Sequence, residues 1–354
     1  MPKKIRIALV FGGRSAEHEI SLASAAAIFN HLDKGKFDVL SIYITKEGLW
    51  KPVESPSTDV KTLAAGKPYP FLPWAVRRLP PRFEADIYFP VLHGPYGEDG
   101  TIQGLFEMAG VPYVGARVLG SALGMDKVST KSILRERGLP VVPYLIITER
   151  EWQESPGNVL GRIRENIPLP FFVKPSNLGS SVGISKVKAM KATAAALETA
   201  FRYDAKILVE KGIQGREIEC SVIGNDLPEA SLPGEVIPFR EFYDYEDKYI
   251  EGKTTFVIPV RLPRQGVEKI RRLAAATFKA LDVSGLARVD FFLEDVSNRL
   301  YINELNTIPG FTEISMFPKL WEATGLSFPR LLERLIELGF ERHRARKACV
   351  RTRT

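Results

Sequence analysis

Near its C-terminal end, the chain contains two predicted β-strands whose side chains are suited to binding a cation. If the polar turn between the strands is centred on Ser297, Asp290 lies directly opposite Glu304. The same register places Arg288 opposite Asn306, and the alternation of a strand brings all four side chains to one face. Facing carboxylates repel unless a cation lies between them, and carboxylate and amide oxygens are ligands for Mg²⁺ beside phosphates. A solvated polar face would also leave the apolar positions inward, so the residues alone keep both interpretations open.

A second candidate site follows a predicted buried strand that ends at Lys174. The next residues, up to Gly183, form a loop rich in glycine and serine. Small residues expose backbone N–H groups, hydroxyls add donors and the lysine adds a compact positive charge, so this segment suits a polyphosphate. It is not a Walker A loop, in which the lysine follows the glycines, and it does not match G-x-G-x-x-G. A mobile surface turn after an edge strand has a similar composition.

Further polar side chains stand at the ends of predicted strands. Glu17 and His18 follow a Gly-Gly pair at the start of a predicted helix, where the helix dipole favours an acid in any case. His93 ends a strand before a glycine-rich loop. Taken singly, such residues are more often structural than functional, and we interpret His18 as structural. The aromatic and charged segment Phe242–Tyr249 is compatible with an ordinary loop or with a lid.

The composition narrows the class of protein. The chain has 354 residues, of which 45% are hydrophobic and 26% charged, as in a globular protein of two to three domains. Of the net charge of +7, the last fourteen residues (341–354) carry +5. The body is therefore nearly neutral and offers no basic stripe for nucleic acid. We expect the basic tail to be disordered and dispensable for activity.

The cellular compartment follows from the cysteines and the hydrophobic runs. Cys220 and Cys349 cannot form a disulfide framework, which indicates a reducing compartment. Every apolar run is shorter than the roughly 18 residues of a membrane span. Charged residues follow the first apolar run, where a signal peptide would be cleaved. We therefore expect a cytoplasmic protein without a membrane partner.

The elements that must position these residues begin as a parallel α/β sheet. A strand at Ile5–Phe11, a Gly-Gly turn, a helix near Glu17–Leu32 and a strand at Val39–Ile44 are typical of that arrangement. The proline-rich stretch Lys51–Pro81 is predicted to be irregular. Later predicted elements are a strand at Ile87–Leu92, helices near Thr101–Ala109 and Ser129–Arg137, strands at Phe171–Lys174, Lys206–Glu210 and Glu217–Ile223, and a closing helix near Phe328–Leu338.

Taken together, these segments resemble the D-alanine–D-alanine ligases of the ATP-grasp superfamily over about residues 5–340. The motifs that carry the resemblance are, in chain order, Gly12–Ser21, His93–Gly100, Met125–Lys127, Lys174–Gly183, Tyr243–Tyr249, Ala287–Asp290 and Asn303–Gly310. Each motif alone is weak, but all of them in this order are specific. The resemblance implies an α/β ATP-grasp fold. An N-terminal Rossmann-like parallel α/β domain (1–126) would precede two α+β subdomains that clamp ATP (127–211 and 212–340) and the basic tail (341–354).

The resemblance also implies a reaction. ATP phosphorylates the carboxylate of one D-alanine, and the amine of a second D-alanine attacks the acyl phosphate to give the dipeptide for peptidoglycan precursors. Lys127 and Lys174 would hold the ATP phosphates under the loop of Gly179, Ser180, Ser181 and Val182. Glu210, Lys211 and Ile213 would line the adenine pocket, and Glu217 would bind the ribose. Asp290, Glu304 and Asn306 would ligate two Mg²⁺ ions, with Mn²⁺ as an alternative.

The remaining implied roles concern the two amino acids. Glu17 would bind the ammonium group of the first D-alanine with His93 nearby, and Ser180 and Tyr249 would hydrogen-bond to Glu17 to hold a lid shut. Arg288 and the N–H of Gly310 would form the oxyanion hole. Ser315 and Lys248 would hold the carboxylate of the second D-alanine. The resemblance further implies a homodimer.

Three alternatives are weighed against this interpretation. A D-alanine–D-lactate ligase is disfavoured by the Tyr243–Tyr249 segment, and another ATP-grasp carboxylate–amine ligase is disfavoured by Glu17 and Ser315. A dinucleotide-binding oxidoreductase fits the opening strand and helix. It lacks the G-x-G-x-x-G motif, however, and has no use for the polar hairpin face.

Overall fold

The computed structural model describes residues 3–64, 84–177, 183–238 and 254–348. Within these ranges the chain forms three β-sheets with helices packed against them. This mixed α/β architecture agrees with the predicted fold class. No helix among the described residues combines the length and the apolar character needed to cross a membrane.

The first sheet has the parallel organisation that the sequence predicts. Its strands are β1 (Ile5–Gly12), β2 (Phe37–Ile44), β3 (Trp50–Val53) and β4 (Ile87–Val91), and its helices are α1 (His18–His31), α2 (Val60–Ala64), α3 (Thr101–Ala109) and α4 (Val118–Met125). β1 pairs in parallel with β2 and β4, and β3 adds an antiparallel edge to β2. Because β1 and β4 are neighbours with the same direction, the loops after their carboxyl ends meet at one edge of the sheet.

The prediction of an irregular segment at Lys51–Pro81 is wrong for its first part. β3 and α2 lie inside it, whereas residues 65–83 lie outside the described residues. Pro52 is accommodated in β3 because β3 is the last strand at its end of the sheet order, where a missing N–H disrupts no inner ladder.

The second sheet is antiparallel and carries the lysine that precedes the glycine- and serine-rich loop. Its order is β5-β8-β6-β7, and its elements are α5 (Lys127–Glu136), β5 (Tyr144–Thr148), α6 (Glu149–Glu154), α7 (Pro156–Asn166), β6 (Phe171–Pro175), β7 (Ser185–Val187), α8 (Thr193–Phe201) and β8 (Lys206–Lys211). Apolar side chains of α7, α8, β6 and β8 form its core. Lys174 lies near the end of β6, as predicted.

The third sheet carries the predicted polar hairpin. Its strands are β9 (Gly215–Gly224), β10 (Glu229–Ala230), β11 (Gly234–Ile237), β12 (Thr255–Val257), β13 (Gly285–Glu294) and β14 (Leu300–Asn306), in the order β12-β11-β9-β13-β14 with β10 beside β9. α9 (Arg264–Ala280) packs on it through buried residues such as Ile270 and Phe278.

Two C-terminal helices close the structure against the first sheet. α10 (Met316–Ala323) and α11 (Phe328–Ala348) contribute Phe317, Trp321 and Leu335 to the core that also contains Phe11 and Phe89. The C-terminal helices therefore pack on the first sheet. The loop between β14 and α10 connects the third sheet to these helices.

The prediction that residues 341–354 are disordered is wrong for residues 341–348, because α11 continues through them. The arginines, lysine and alanines of this stretch are good helix formers. The helix is also anchored, since the Arg342 guanidinium donates to the backbone carbonyls of Tyr113 and Gly115. Residues 349–354 lie outside the described residues.

Candidate active site

The loops after β1 and β4 face the third sheet across a cleft that is lined by eight of the predicted site residues. Among its lining residues are Glu17, His93, Glu98, Lys127, Glu219, Arg288, Glu304, Asn306, Gly310 and Ser315. The cleft encloses about 1020 Å³ of empty space, part of it open to solvent. Residues far apart in the chain therefore meet in one place, as a substrate-binding site requires.

The hairpin register is confirmed at the positions that matter. Asp290 pairs with Glu304 and Arg288 pairs with Asn306 across β13 and β14. A β-bulge follows Asp290, so that Phe291 faces Ile302 rather than the residue a symmetric hairpin would give it. The four polar side chains belong to the two residue pairs on one side of the bulge, so they keep the predicted common face.

Two protein cations lie among the hairpin carboxylates. The Arg288 Nε donates to Asp290 Oδ1 at 2.7 Å, and its Nη2 donates to Asp290 Oδ2 at 2.7 Å. The Asn306 amide also donates to Asp290 at 3.0 Å, and Lys127 Nζ lies 4.0 Å from Glu304. The repulsion expected between facing carboxylates is thus relieved in the structure by Arg288 and Lys127.

A third carboxylate, Glu219, extends this row and was missed from the sequence. In β9, Glu219 pairs with Asp290, and its Oε2 lies 3.0 Å from Arg288 Nε. Only 5% of Glu219 is exposed. The alternation of polar and apolar residues from Glu217 to Ser221 predicts a polar face on β9, but only the pairing of β9 with β13 shows which strand it joins.

The hairpin donors fit a divalent cation that binds together with a phosphate. Asp290 and Glu304 offer carboxylate oxygens, and Asn306 offers an amide oxygen. Among the described residues, no three His, Cys, Asp or Glu side chains cluster closely enough to hold an ion by themselves. Mg²⁺ in phosphate-handling sites typically takes one or two carboxylates and completes its shell with phosphate oxygens and water. The arrangement therefore suits a metal that binds with a nucleotide, and metal binding itself stays a prediction.

Lys174 belongs to a buried ion cluster at the second sheet. Its Nζ donates to Glu210 Oε2 at 2.5 Å, and the other carboxylate oxygen of Glu210 contacts Lys131 Nζ. Burial opposes the charge of Glu210, but the two lysines outweigh it and hold its pKa below the ordinary value. Burial lowers the pKa of Lys131. The cluster has one more cation than anion, which suits the neighbourhood of a polyphosphate.

The predicted adenine and ribose residues lie where the second sheet passes into the third. Glu210 and Lys211 end β8, Ile213 lies in the connection, and Glu217 lies in β9. Lys211 Nζ donates to Glu294 Oε1 at 2.8 Å. The Glu210 carboxylate is shared by two lysines, so the structure places it as a support for Lys174; its role beside adenine stays a prediction.

The first-sheet wall of the cleft is built from Glu17, His93 and Glu98. Glu17 lies at the N-cap position of α1. A Cβ at Gly94 would lie 2.7 Å from Glu17 Oε2, so glycine there leaves room for the carboxylate. Burial lowers the pKa of His93, against the opposing charge of Glu17. Burial raises the pKa of Glu98 to about 8, and the charge of Glu17 adds to the effect. Glu98 was missed from the sequence, where only its glycine-rich loop gave a signal.

The opposite wall is the loop between β14 and α10. Ser315 precedes α10, and its Oγ accepts the backbone N–H of Thr312 at 3.0 Å. A Cβ at Gly310 would lie 2.7 Å from Ser315 Oγ, so these two predicted residues are in close contact. His18, interpreted as structural, is fully buried and hydrogen-bonds Gly13 and Tyr43.

Several predicted site residues lie outside the described residues. They are Gly179, Ser180, Ser181 and Val182 of the glycine- and serine-rich loop, and Lys248 and Tyr249 of the candidate lid. Their roles stay predictions. Of the described residues that follow the candidate lid, Phe256 of β12 lines the cleft.

Comparisons with known sequences agree with the geometry. The family models described as D-ala D-ala ligase N-terminus and D-ala D-ala ligase C-terminus match residues 6–116 and 133–337. The chain belongs to the D-alanine–D-alanine ligase family. A D-alanine–D-alanine ligase of Solibacter usitatus is 48% identical over 344 residues, covering 97% of this chain and 98% of the relative. One from Geobacillus thermodenitrificans is 46% identical and covers 99% of both chains.

Solved structures of this family have the same fold. The D-alanine–D-alanine ligase of Coxiella burnetii superposes with a TM-score of 0.85 at 39% identity, covering 97% of this chain and 96% of its own. The VanG D-Ala:D-Ser ligase of Enterococcus faecalis gives a TM-score of 0.84 at 35% identity, covering 95% of this chain and 100% of its own. These two relatives differ in their second substrate, which is D-alanine for one and D-serine for the other.

Proposed function

We propose that this protein joins two D-alanine molecules into D-alanyl-D-alanine, with conversion of ATP to ADP and phosphate, for peptidoglycan precursors. The observation that carries the proposal is the cleft itself. It sets the carboxylate of Glu17 on one wall and the cationic group of Arg288 on the other, next to Lys127 and the hairpin acids. Such a site matches two amino acids and a nucleotide phosphate. The nearly full-length similarity to D-alanine–D-alanine ligases supports the same conclusion.

The proposed binding of ATP uses the second and third sheets. Lys127 and Lys174 would hold the phosphates together with the Gly179–Val182 loop, while Glu210, Lys211 and Ile213 would line the adenine pocket and Glu217 would bind the ribose. Asp290, Glu304 and Asn306 would hold two Mg²⁺ or Mn²⁺ ions. The bound metal would supply Lewis-acid stabilisation of charge on the transferring phosphoryl group.

The proposed binding of amino acids uses the two walls. Glu17 would pair with the ammonium group of the first D-alanine, and Ser315 with Lys248 would hold the carboxylate of the second. Arg288 and the Gly310 N–H would stabilise the oxyanion that develops when the amine attacks the acyl phosphate. Ser180 and Tyr249 would join Glu17 in holding the lid shut and excluding water, which protects the acyl phosphate from hydrolysis.

The proposal extends to organisation and location. The proposed domains are residues 1–126, 127–211 and 212–340, and α11 packs back on the first sheet. A homodimer is proposed from the family resemblance, and light scattering on the purified protein would test it. A cytoplasmic location is proposed because the reaction consumes ATP.

The test is phosphate release by the purified protein with ATP and Mg²⁺. We expect release to depend on D-alanine and the dipeptide to be identified by mass spectrometry. D-Serine and D-lactate are offered as competing second substrates, because one similar structure is a D-Ala:D-Ser ligase. No D-alanine-dependent release would overturn the proposed reaction. A clear preference for D-serine or D-lactate would overturn the proposed second substrate alone.

A further inference from the structure

The backbone that carries Gly310 is held from the opposite wall of the cleft. Gly310 lies between Ile308 and Phe311. Both polar backbone groups of Ile308 and the N–H of Phe311 bond to side chains of α1 and of the loop after β4. Ile308 is 5% exposed and Phe311 is fully buried. In a buried loop each backbone group needs a partner, so these bonds determine where the loop can lie.

Ile308 is bound on both of its polar groups. Its N–H donates to Glu98 Oε1 at 3.0 Å, and its carbonyl oxygen lies 2.9 Å from His93 Nδ1. The second carboxyl oxygen of Glu98 accepts the N–H of Gly94 at 2.8 Å. Glu98 thus ties its own loop and the β14–α10 loop together with its two oxygens.

Ser24 completes the network from α1. Its Oγ accepts the N–H of Phe311 at 3.2 Å and lies 3.1 Å from His93 Nε2. The Ile308 carbonyl can only accept, so His93 carries its proton on Nδ1, and Nε2 accepts the Ser24 hydroxyl proton. Both ring nitrogens of His93 therefore have protein partners.

We propose that Ser24, His93 and Glu98 are positioning residues that hold residues 308–311, and so fix the Gly310 N–H in the cleft. This inference rests on the proposed function. The three side chains belong to the same wall of the cleft as Glu17. The same part of the structure therefore positions both the site of the first amino acid and the oxyanion hole. In this arrangement His93 acts through its hydrogen bond to Ile308.

The experiment compares steady-state kinetics of Ser24→Ala, Glu98→Gln and a control, Ser21→Ala. Ser21 is an equally buried serine of α1, bonded to Gly12 and Val91 instead of the loop. In Glu98→Gln the amide nitrogen cannot accept an N–H, so one of the two bonds is lost. Misplaced oxyanion donors cost about 10- to 100-fold in rate. We expect that loss in kcat for Ser24→Ala and Glu98→Gln, with KM values for ATP and D-alanine within about threefold of wild type.

Two His93 variants separate positioning from contact with substrate. The amide nitrogen of His93→Asn occupies the region of Nδ1 and can still donate to Ile308, whereas that of His93→Gln lies nearer Nε2. We expect His93→Asn to keep more of kcat than His93→Gln. An equal loss or the reverse order would overturn the proposal, as would an unchanged kcat in Ser24→Ala or a kcat loss of the same size in Ser21→Ala. A wild-type protein without D-alanine-dependent activity would instead overturn the proposed function.

Discussion

Replacing Arg342 by alanine should destabilise the protein, although this arginine belongs to a stretch that resembles a disordered tail. The guanidinium donates to the carbonyls of Gly115 and Tyr113, the latter at 2.7 Å, and to Ser284 Oγ at 3.2 Å. It also stacks over the Tyr113 ring, 4.3 Å from the ring centroid. Arg342 therefore ties the end of α11 to the segment after β4 and to the start of β13.

The expected magnitude follows from opposing contributions. The two carbonyl bonds from a charged donor contribute about 2 kcal/mol each, and the cation–π contact adds about 1 kcal/mol. Burial lowers the pKa of Arg342 from 12.5 to about 10. Desolvation of the charged form therefore offsets part of these contributions. We expect about 2 kcal/mol to be lost from the free energy of unfolding in Arg342→Ala.

Urea unfolding followed by circular dichroism measures this loss. Arg344→Ala is the matched control, because Arg344 is an exposed arginine of the same helix. Truncation after Glu341 should destabilise the protein at least as much as Arg342→Ala. Only residues 349–354 are still expected to be dispensable for activity. Equal stability of Arg342→Ala and Arg344→Ala would refute the reasoning that α11 is anchored through Arg342.

Three further predictions concern the candidate site. Glu304→Gln should lose most of its turnover while circular dichroism stays that of wild type; near-normal activity would contradict its assignment as a metal ligand. Glu210→Gln removes the carboxylate that contacts both Lys131 and Lys174, so we expect a loss of about 3–5 kcal/mol in unfolding experiments. If Glu210→Gln were as stable as wild type, the ion cluster around Glu210 would have to be solvated. The pKa of Glu98 is raised from 4.5 to about 8, so its contribution to stability is complete below pH 4.5 and is lost as the pH rises toward 8. Between pH 5 and 8 the urea midpoint of wild type should therefore fall more than that of Glu98→Gln, and parallel curves would argue against the raised pKa.

The local elements of the site were predictable from sequence because their signals are local. Alternation and a short polar turn predict the β13–β14 hairpin and the opposition of Asp290 and Glu304. The Gly-Gly turn and the flanking apolar runs predict β1, α1 and β2 in a parallel sheet. The boundaries of these elements differ from the predictions by only a few residues, since apolar periodicity ends where the elements end.

The partners of the site residues were decided by the tertiary structure. Glu219 joins the carboxylate row only because β9 lies beside β13, and no local pattern specifies which strands become neighbours. No local pattern in the sequence pairs Lys131 with Glu210, yet each is at most 1% exposed and they form one ion cluster. Burial is a property of the assembled fold, and it is burial that makes these charges interdependent.

The basic C-terminal stretch shows the same division. The sequence by itself determined its charge and its helix-forming residues, and these are compatible with a solvated tail or with a helix. Docking decided between them, because the carbonyl groups that receive Arg342 belong to residues more than two hundred positions earlier in the chain. The residue types and their short-range spacing thus determine which ligands and charges the side chains are able to bind. Which groups meet, and with what charge, depends on distances that exist only after the chain has folded.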